Sequence, residues 1–467
     1  MPKLKLITYG CQANELDSER IVGLLAEEGY ELIEREEEAD LILLNTCAIR
    51  EKAEQKVYSR LGTLKALKQR KEGLRIGVCG CVAQQEGQAV LNRFPYLDFV
   101  VGPGKLTSIP QLLKGETKRG VAIARARGFS YPAKAPVRRR SGIKAWVSIM
   151  EGCDRFCTFC VVPLTRGRER SRPSHEILDE VCGLKEEGYR EITLLGQTVN
   201  SYGKKLHPPT TFIGLLRKID RAVGREVRVR FTSPHPSDVT EELAEAIGEL
   251  PSLCEHIHLP VQSGSDGTLA RMKRGYGRDE YVRKVELLRA NTPGLAITTD
   301  IIIGFPGETE QDFQETLGLM EEVGYDGAFI FKYSPRPYTA AAQMSGQVAE
   351  DVKASRMAQA MDLLSRMSLE RNRAYLGLTV EVLVDREDGK GDNSIRSAGR
   401  TRQNKLVHFP GEGVVDGDLV SVSIRGATAL YLQGEMICSQ NRSQEEKGFD
   451  KAPPAFYHST NLRNEIR

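Results

Sequence analysis

The chain has 467 residues, 40% hydrophobic and 28% charged, with 66 Lys and Arg against 63 Asp and Glu for a formal charge of +3. At roughly 100–200 residues per domain this predicts two to four domains with ordinary cores. The near balance of charge excludes a uniformly basic surface, so a nucleic-acid partner has to be argued from local patches. No apolar stretch approaches the ~18 residues of a membrane helix, and the start MPKLKLITYGC has neither an apolar h-region nor a cleavage site. The expectation is a cytoplasmic protein with no membrane partner. Its ten cysteines, in a reducing compartment, then point to metal ligation or redox chemistry instead of disulfides.

In chain order, residues 1–118 alternate short apolar runs with amphipathic stretches. Strands are predicted at Leu4–Tyr9, Leu41–Asn45, Leu74–Cys79 and Phe99–Val101, with helical stretches at Ser18–Glu28 and Glu51–Lys71. This is the pattern of an open parallel α/β sheet. Between Thr117 and Met150 there is no acidic residue, while Lys118, Arg119, Arg125, Arg127, Lys134, Arg138, Arg139, Arg140 and Lys144 are basic. Residues 119–143 read as a basic linker at a domain boundary.

A second alternation fills residues 144–373. Its strands are Ala145–Met150, Glu191–Leu195, Val227–Phe231, His256–Val261, Ala296–Ile303 and Ala328–Tyr333, followed by a helix over Val348–Arg373. Six βα units predict a partial (β/α)6 barrel, short of the eight that close a full one. Residues 374–438 change to period-2 patterning, as in TVEVLVD and LVSVSIR, and predict a small antiparallel β-barrel. The stretch 439–467 is a polar tail.

Cys153, Cys157 and Cys160 form a CxxxCxxC spacing just after the first barrel strand. Three thiolates so placed hold three irons of a 4Fe-4S cluster and leave the fourth open; zinc would want a fourth ligand, and His175 is fifteen residues away. Cys11, Cys47 and Cys81 each follow a predicted strand of the first sheet. In a parallel sheet the carboxyl ends share one edge, so these three should converge as a second trio and hold a second cluster. Cys79 reads as core packing, and Cys182, Cys254 and Cys438 as structural.

These residues lie in stretches that resemble the methylthiotransferases of the radical S-adenosylmethionine superfamily. The likeness is carried by TYGCQANELDSE, NTCAIREKAEQK, GCVAQ, CTFCVVPLTRGRERSR, LLGQTVNSYG, SPHP, HLPVQSGS, TDIIIGFPGETE and FKYSPRPYT. It covers the chain up to about Cys438 and points to the branch that acts on isopentenylated tRNA adenosine. What the resemblance implies is a methylthio group added to carbon 2 of that adenosine in the anticodon loop. It also implies two 4Fe-4S clusters, S-adenosylmethionine, an electron donor such as flavodoxin or ferredoxin, and an RNA-binding TRAM domain in the C-terminal barrel. S-adenosylmethionine would chelate the open iron of the Cys153/Cys157/Cys160 cluster and be split to a 5′-deoxyadenosyl radical, while the other cluster would carry the sulfur. Ala13, Thr198 and Tyr338 depart from the family pattern, where methionine, asparagine and glycine are usual.

No catalytic side chain beyond the six cysteines is assigned. Gly196, Gln197, Ser233 and Gln262 stand at predicted strand ends as cofactor-binding candidates, with Gly196 letting the cofactor's amino group near the backbone. Arg166, Arg168, Arg170 and Arg172 alternate, and an extended chain would align them for phosphates or the cofactor's carboxylate, against the alternative of a salt-bridged strand. His256 and His258 read as satisfied pocket residues and Trp146 as packing. Arg396, Arg400, Arg402 and Lys405 offer an RNA-binding stretch. Two alternatives stand beside this reading: a methylthiotransferase for threonylcarbamoyl-adenosine tRNA or a ribosomal-protein aspartate, and an RNA-binding iron–sulfur sensor without turnover.

Overall fold

The computed structural model describes residues 1–48, 51–115, 119–123, 129–132, 135–385, 397–411 and 413–439. Lys118, Arg125, Arg127, Lys134, Arg396, the Cys438 side chain and the tail beyond Ser439 lie outside the described residues.

The N-terminal unit is a parallel sheet. Its strands are β1 (Lys3–Tyr9), β2 (Glu31–Leu32), β3 (Leu41–Thr46), β4 (Arg75–Gly80), β5 (Phe99–Val101) and β6 (Gly120–Ala122), in the order β2-β1-β3-β4-β5-β6. Helices α1 (Gln12–Glu27), α2 (Glu51–Arg70), α3 (Cys81–Glu86), α4 (Gln88–Arg93) and α5 (Ile109–Lys114) accompany it. The buried run LILLNT shows no polar alternation because both of its faces are covered.

Two strands of this sheet were missed in the sequence. β2 is too short to carry a period. β6 falls inside the predicted linker and pairs with β5, Phe99 opposite Gly120, so the sheet runs past residue 118. Nor is the remainder a solvated tether. Arg139 pairs with both Glu19 and Glu180 and donates to the Trp146 carbonyl at 2.7 Å, while the Arg140 N–H donates to Glu19 at 3.0 Å. Carboxylates buried on either side of this segment take up its cations, since an unpaired buried charge is costly.

The central unit runs β7 (Lys144–Ser148), β8 (Met150–Glu151), α6 (Val162–Thr165), β9 (Arg170–Ser171), α7 (Ser174–Glu186), β10 (Glu191–Leu195), α8 (Phe212–Val223), β11 (Arg228–Phe231), α9 (Glu241–Glu249), β12 (His256–His258), α10 (Asp266–Arg271), α11 (Arg278–Asn291), β13 (Ala296–Ile303), α12 (Glu310–Val323) and β14 (Gly327–Lys332). The parallel barrel strands form two triplets, β7-β10-β11 and β12-β13-β14. On β13, Ile297, Ile301 and Ile303 are buried in the core, and Thr298, Asp300 and Ile302 take the other face. β12 stops at His258, short of the predicted Val261, because Pro260 has no N–H to continue the ladder.

After α13 (Glu350–Arg373), β15 (Thr379–Val384), β16 (Ser397–Arg400), β17 (Leu406–Phe409), β18 (Leu419–Ala427) and β19 (Leu432–Ser439) close a barrel in the order β15-β16-β17-β19-β18. The β17–β19 pairing is parallel and the other four antiparallel, since an odd number of strands cannot alternate all the way round a closed ring.

This small barrel sits under the amino ends of the central strands. Arg228 donates to the Arg400 carbonyl at 2.6 Å, and Arg230 to the carbonyls of Thr401 and Arg402 at 2.9 and 2.8 Å. Arg402 grips Glu255 through both carboxylate oxygens, and Lys405 pairs with Asp326 at 2.8 Å. The predicted RNA-binding use of Arg402 and Lys405 is therefore corrected, while the Arg400 guanidinium stays within its own loop on the Asn404 carbonyl. Their loop joins two domains, and the charges of Arg402 and Lys405 are neutralised there. No helix among the described residues is long and apolar enough to cross a membrane.

Candidate functional site

Cys11 immediately precedes α1, Cys47 follows β3 and Cys81 opens α3. The strand order reverses between β1 and β3, and loops leaving such a point open a crevice at the carboxyl ends. A Cβ on Gly80, at φ 94°, would lie 2.5 Å from both Asn45 Oδ1 and the Thr46 carbonyl, so glycine is what lets Cys81 begin its helix beside Cys47. Buried amides brace the loops: Asn14 Nδ2 donates to Asn45 Oδ1 and the Thr46 carbonyl, both at 3.2 Å, and Asn45 Nδ2 donates to the Asn14 carbonyl at 2.8 Å. The three thiols act on one another. A hydrogen bond with Cys47, aided by the Arg166 guanidinium, outweighs burial and holds the Cys11 thiol down at about 5. Burial pushes the Cys81 thiol up, and Arg166 opposes that push by charge and by hydrogen bond.

The second trio hangs in the loop 152–169, whose base is tied by β8 pairing with β9, Glu151 opposite Arg170. Within it the Cys153 N–H donates to the Gly167 carbonyl at 3.1 Å and the Cys160 N–H to the Cys157 carbonyl at 3.0 Å. Outside groups reach the sulfurs. Thr198 Oγ1 lies 3.2 Å from Cys153 Sγ, the Arg155 N–H donates to the same sulfur at 3.4 Å, and Arg274 donates to Cys157 Sγ at 3.4 Å. Burial raises the Cys160 thiol to about 12, and the charges of Cys157 and Cys153 add to that.

The trios meet across the domain boundary. Cys81 and Val82 pack with Val161, the residue after Cys160, and Arg166, just past α6, pairs with Asp17 of α1 at 2.7 Å. Cys79 is fully buried with its thiol directed at the Leu44 carbonyl, 3.6 Å away, a packing position.

The other predicted residues divide. The space left by Gly196 is filled by Met150, whose Cγ would lie 2.4 Å from a Cβ there; this glycine serves packing on that side and does not open it to a cofactor. Gln197 Oε1 accepts the Gly152 N–H at 2.6 Å and so braces the cysteine loop. Ser233 and Gln262 both adopt positive φ, 59° and 78°, after the carboxyl ends of β11 and β12. The arginine strip is not a phosphate rail. Arg166 pairs with Asp17, Arg168 with Asp154, Arg170 with Glu151, and Arg172 with Glu176 and Glu180. Only Arg170 and Ser171 are extended as a strand, so the side chains diverge. His256 and His258 share Thr298 Oγ1, and His258 also meets Asp300 at 3.3 Å. Sequence reasoning missed Arg274 as a partner of Cys157: the two lie 117 positions apart and no motif links them.

The donor set fits iron–sulfur clusters. Each trio is thiol-only and each has a guanidinium donor on one sulfur, which suits thiolates. Among the described residues no three His, Cys, Asp or Glu side chains converge as a single-ion site; thiolates that grip separate irons of a cube need not point at one centre. For S-adenosylmethionine the telling atom is His235 Nε2. His235 is 6% exposed, its Nδ1 is engaged by Ser237, and among the described residues Nε2 has no partner. Burial and the charges of Arg274 and Arg155 push its pKa down to about 2, so the ring is neutral and offers Nε2–H at the mouth.

Residues 147–320 match the radical SAM superfamily and residues 3–102 match the uncharacterized protein family UPF0004. Among solved structures, the methyltransferase TsrM from Kitasatospora setae, with cobalamin and a 4Fe-4S cluster bound, superposes with TM-score 0.53 at 16% identity, covering 73% of this chain and 74% of that one. The cobalamin-dependent S-adenosylmethionine radical enzyme OxsB gives 0.50 at 16%, covering 78% and 56%. These two share the fold. Fold and thiol loop together define a radical S-adenosylmethionine enzyme. The tRNA-2-methylthio-N(6)-dimethylallyladenosine synthases of Clostridium perfringens and Clostridium botulinum are each 46% identical over 434 residues, 92% of this chain and 96% of theirs. The chain belongs to that family, the tRNA methylthiotransferases of the radical S-adenosylmethionine class.

Proposed function

We propose that this chain adds a methylthio group to carbon 2 of dimethylallyl-adenosine in the tRNA anticodon loop, using two iron–sulfur clusters. Cys153, Cys157 and Cys160 would hold one in the barrel mouth, and Cys11, Cys47 and Cys81 the other in the N-terminal crevice. When bound, these groups and S-adenosylmethionine supply the one-electron chemistry that reaches an unactivated C–H bond, and the sulfur. A small electron carrier of the flavodoxin or ferredoxin kind would deliver the electron.

The chain's own side chains do the positioning. Arg274 and Arg166 stabilise sulfur charge at Cys157 and Cys81. Thr198 and the Arg155 N–H orient Cys153, and His235 presents a neutral donor where a cationic histidine would repel a sulfonium. Packing of Cys81 and Val82 against Val161 keeps water out between the trios.

The observation that carries this reading is the meeting of two largely buried thiol trios across one domain contact, with Arg166 reaching from the loop of one to the sulfurs of the other. Mass spectrometry of tRNA nucleosides from cells with and without the gene tests the substrate. Loss of the methylthiolated dimethylallyl-adenosine alone is the expected result, and loss of a threonylcarbamoyl derivative would overturn it. A reconstituted, reduced protein that makes no 5′-deoxyadenosine would favour the sensor.

A further inference from the structure

Two independent properties select the same two residues on the barrel rim. Among the described residues, six non-glycine positions have positive φ: Phe156, Ser233, Gln262, Lys273, Tyr338 and Asn404. The large hydrophobic side chains left exposed include Phe156 at 48% and Tyr338 at 70%. Isolated exposed apolar residues are ordinary and need no explanation. A bulky side chain held in the left-handed region and also in water is different, because it carries backbone strain with no burial to offset it.

The local causes can be read directly. Arg336–Thr339 is a β-turn closed by the Thr339 N–H on the Arg336 carbonyl at 3.2 Å, with Pro337 second and Tyr338 third. At φ 67° the third place is the one a type II turn reserves for glycine. Phe156 stands between Cys153 and Cys157 at φ 50°, and the Arg168 guanidinium lies 4.9 Å from its ring centre. The Phe156 loop and the Tyr338 turn both belong to the carboxyl-end rim and are tied to each other, since the Ala341 N–H donates to the Thr158 carbonyl at 2.9 Å.

We infer that Phe156 and Tyr338 are base-stacking platforms for unpaired nucleotides of the substrate RNA on either side of the reacting one. This rests on the tRNA reading above. Sequence-tolerant RNA binding to single strands works by stacking bases on exposed aromatic faces, and a guanidinium over such a ring adds a phosphate or cation–π contact. Strain in the two turns holds both rings outward. In the C-terminal barrel loop, Arg402 and Lys405 are held by Glu255 and Asp326 under the central barrel, away from this rim.

The test is fluorescence anisotropy of the full-length, cluster-loaded protein with a prenylated anticodon stem-loop, at several salt concentrations. Tyr338→Gly suits the turn, so its melting temperature should stay within about 2 °C of the parent or rise, while its Kd rises about fivefold or more. Tyr338→Phe should bind within twofold of the parent. Phe156→Leu should weaken binding similarly at parental iron content. In all three the slope of log Kd against log salt should be unchanged, because no phosphate contact is removed. A Tyr338→Gly protein that binds like the parent overturns the inference. A parent protein that fails to bind the stem-loop overturns the tRNA reading instead.

Discussion

Arg166 and Asp17 form a 2.7 Å ion pair across the boundary between the N-terminal sheet and the barrel, with side chains 9% and 3% exposed. Asp17 lies six positions after Cys11 on α1, and Arg166 six positions after Cys160, so one contact ties both thiol loops. Breaking a buried pair from one side costs up to about 3–5 kcal/mol, less here because Arg20 still faces Asp17 at 3.6 Å. Arg166→Met should therefore lower thermal stability markedly, and Asp17→Asn in the same chain should recover part of the loss. A double-mutant cycle by calorimetry checks the coupling; additive effects would contradict it.

The six cysteines should separate by function. Cys157→Ala should abolish 5′-deoxyadenosine formation, while Cys47→Ala should retain it and lose methylthio transfer. Iron analysis should give about eight per parent chain and about four in either variant. A Cys47→Ala protein that still methylthiolates tRNA would remove the N-terminal trio from the reaction.

Arg274 donates to Cys157 Sγ from a fully buried site beside Tyr276. Replacing it with Gln removes a positive charge from a sulfur ligand. The expected result is a reduction potential lower by roughly tens of millivolts for the barrel cluster, read by an EPR-monitored titration. An unchanged potential would make Arg274 a packing residue.

Glu19 is buried between α1 and the segment at Arg139 and Arg140, and burial raises its pKa to about 7 from a reference of 4.5. The folded protein thus holds a proton that the unfolded chain releases, so stability should fall as pH rises from about 4.5 to 7 and level off above it. The size is at most about 3 kcal/mol. Glu19→Gln should flatten that part of the stability–pH curve, measured by denaturant unfolding at pH 5, 6, 7 and 8.

Arg402 holds Glu255 beneath the central barrel. Arg402→Ala should reduce thermal stability and leave the salt dependence of tRNA binding unchanged. A shallower salt slope would restore it as a phosphate contact.

Much was legible in the sequence because it is written in local terms. Apolar runs bounded by turns placed β1, β3, β5, β10 and β13 within a residue or so, and the CxxxCxxC spacing is local by nature. The convergence of Cys11, Cys47 and Cys81 was also accessible, because parallel strands deliver their carboxyl ends to one edge whatever the sequence between them. Partner choice for charged side chains was not. The strip from Arg166 to Arg172 and the loop from Arg400 to Lys405 have the composition of phosphate sites, yet Asp17, Glu151, Glu180, Glu255 and Asp326 claim most of their charges from distant segments. Burial and distance settle which pairs form, and neither is a function of sequence separation. The same holds for Gly196, whose empty Cβ position is taken by Met150, and for Arg274, which reaches Cys157 only because α10 folds beside the cysteine loop. The sequence by itself determined the strand order of chemistry: thiols at strand ends, in two sets of three. Tertiary structure alone decided that the two sets share an interface and which cations serve them, because burial and through-space distance choose those partners.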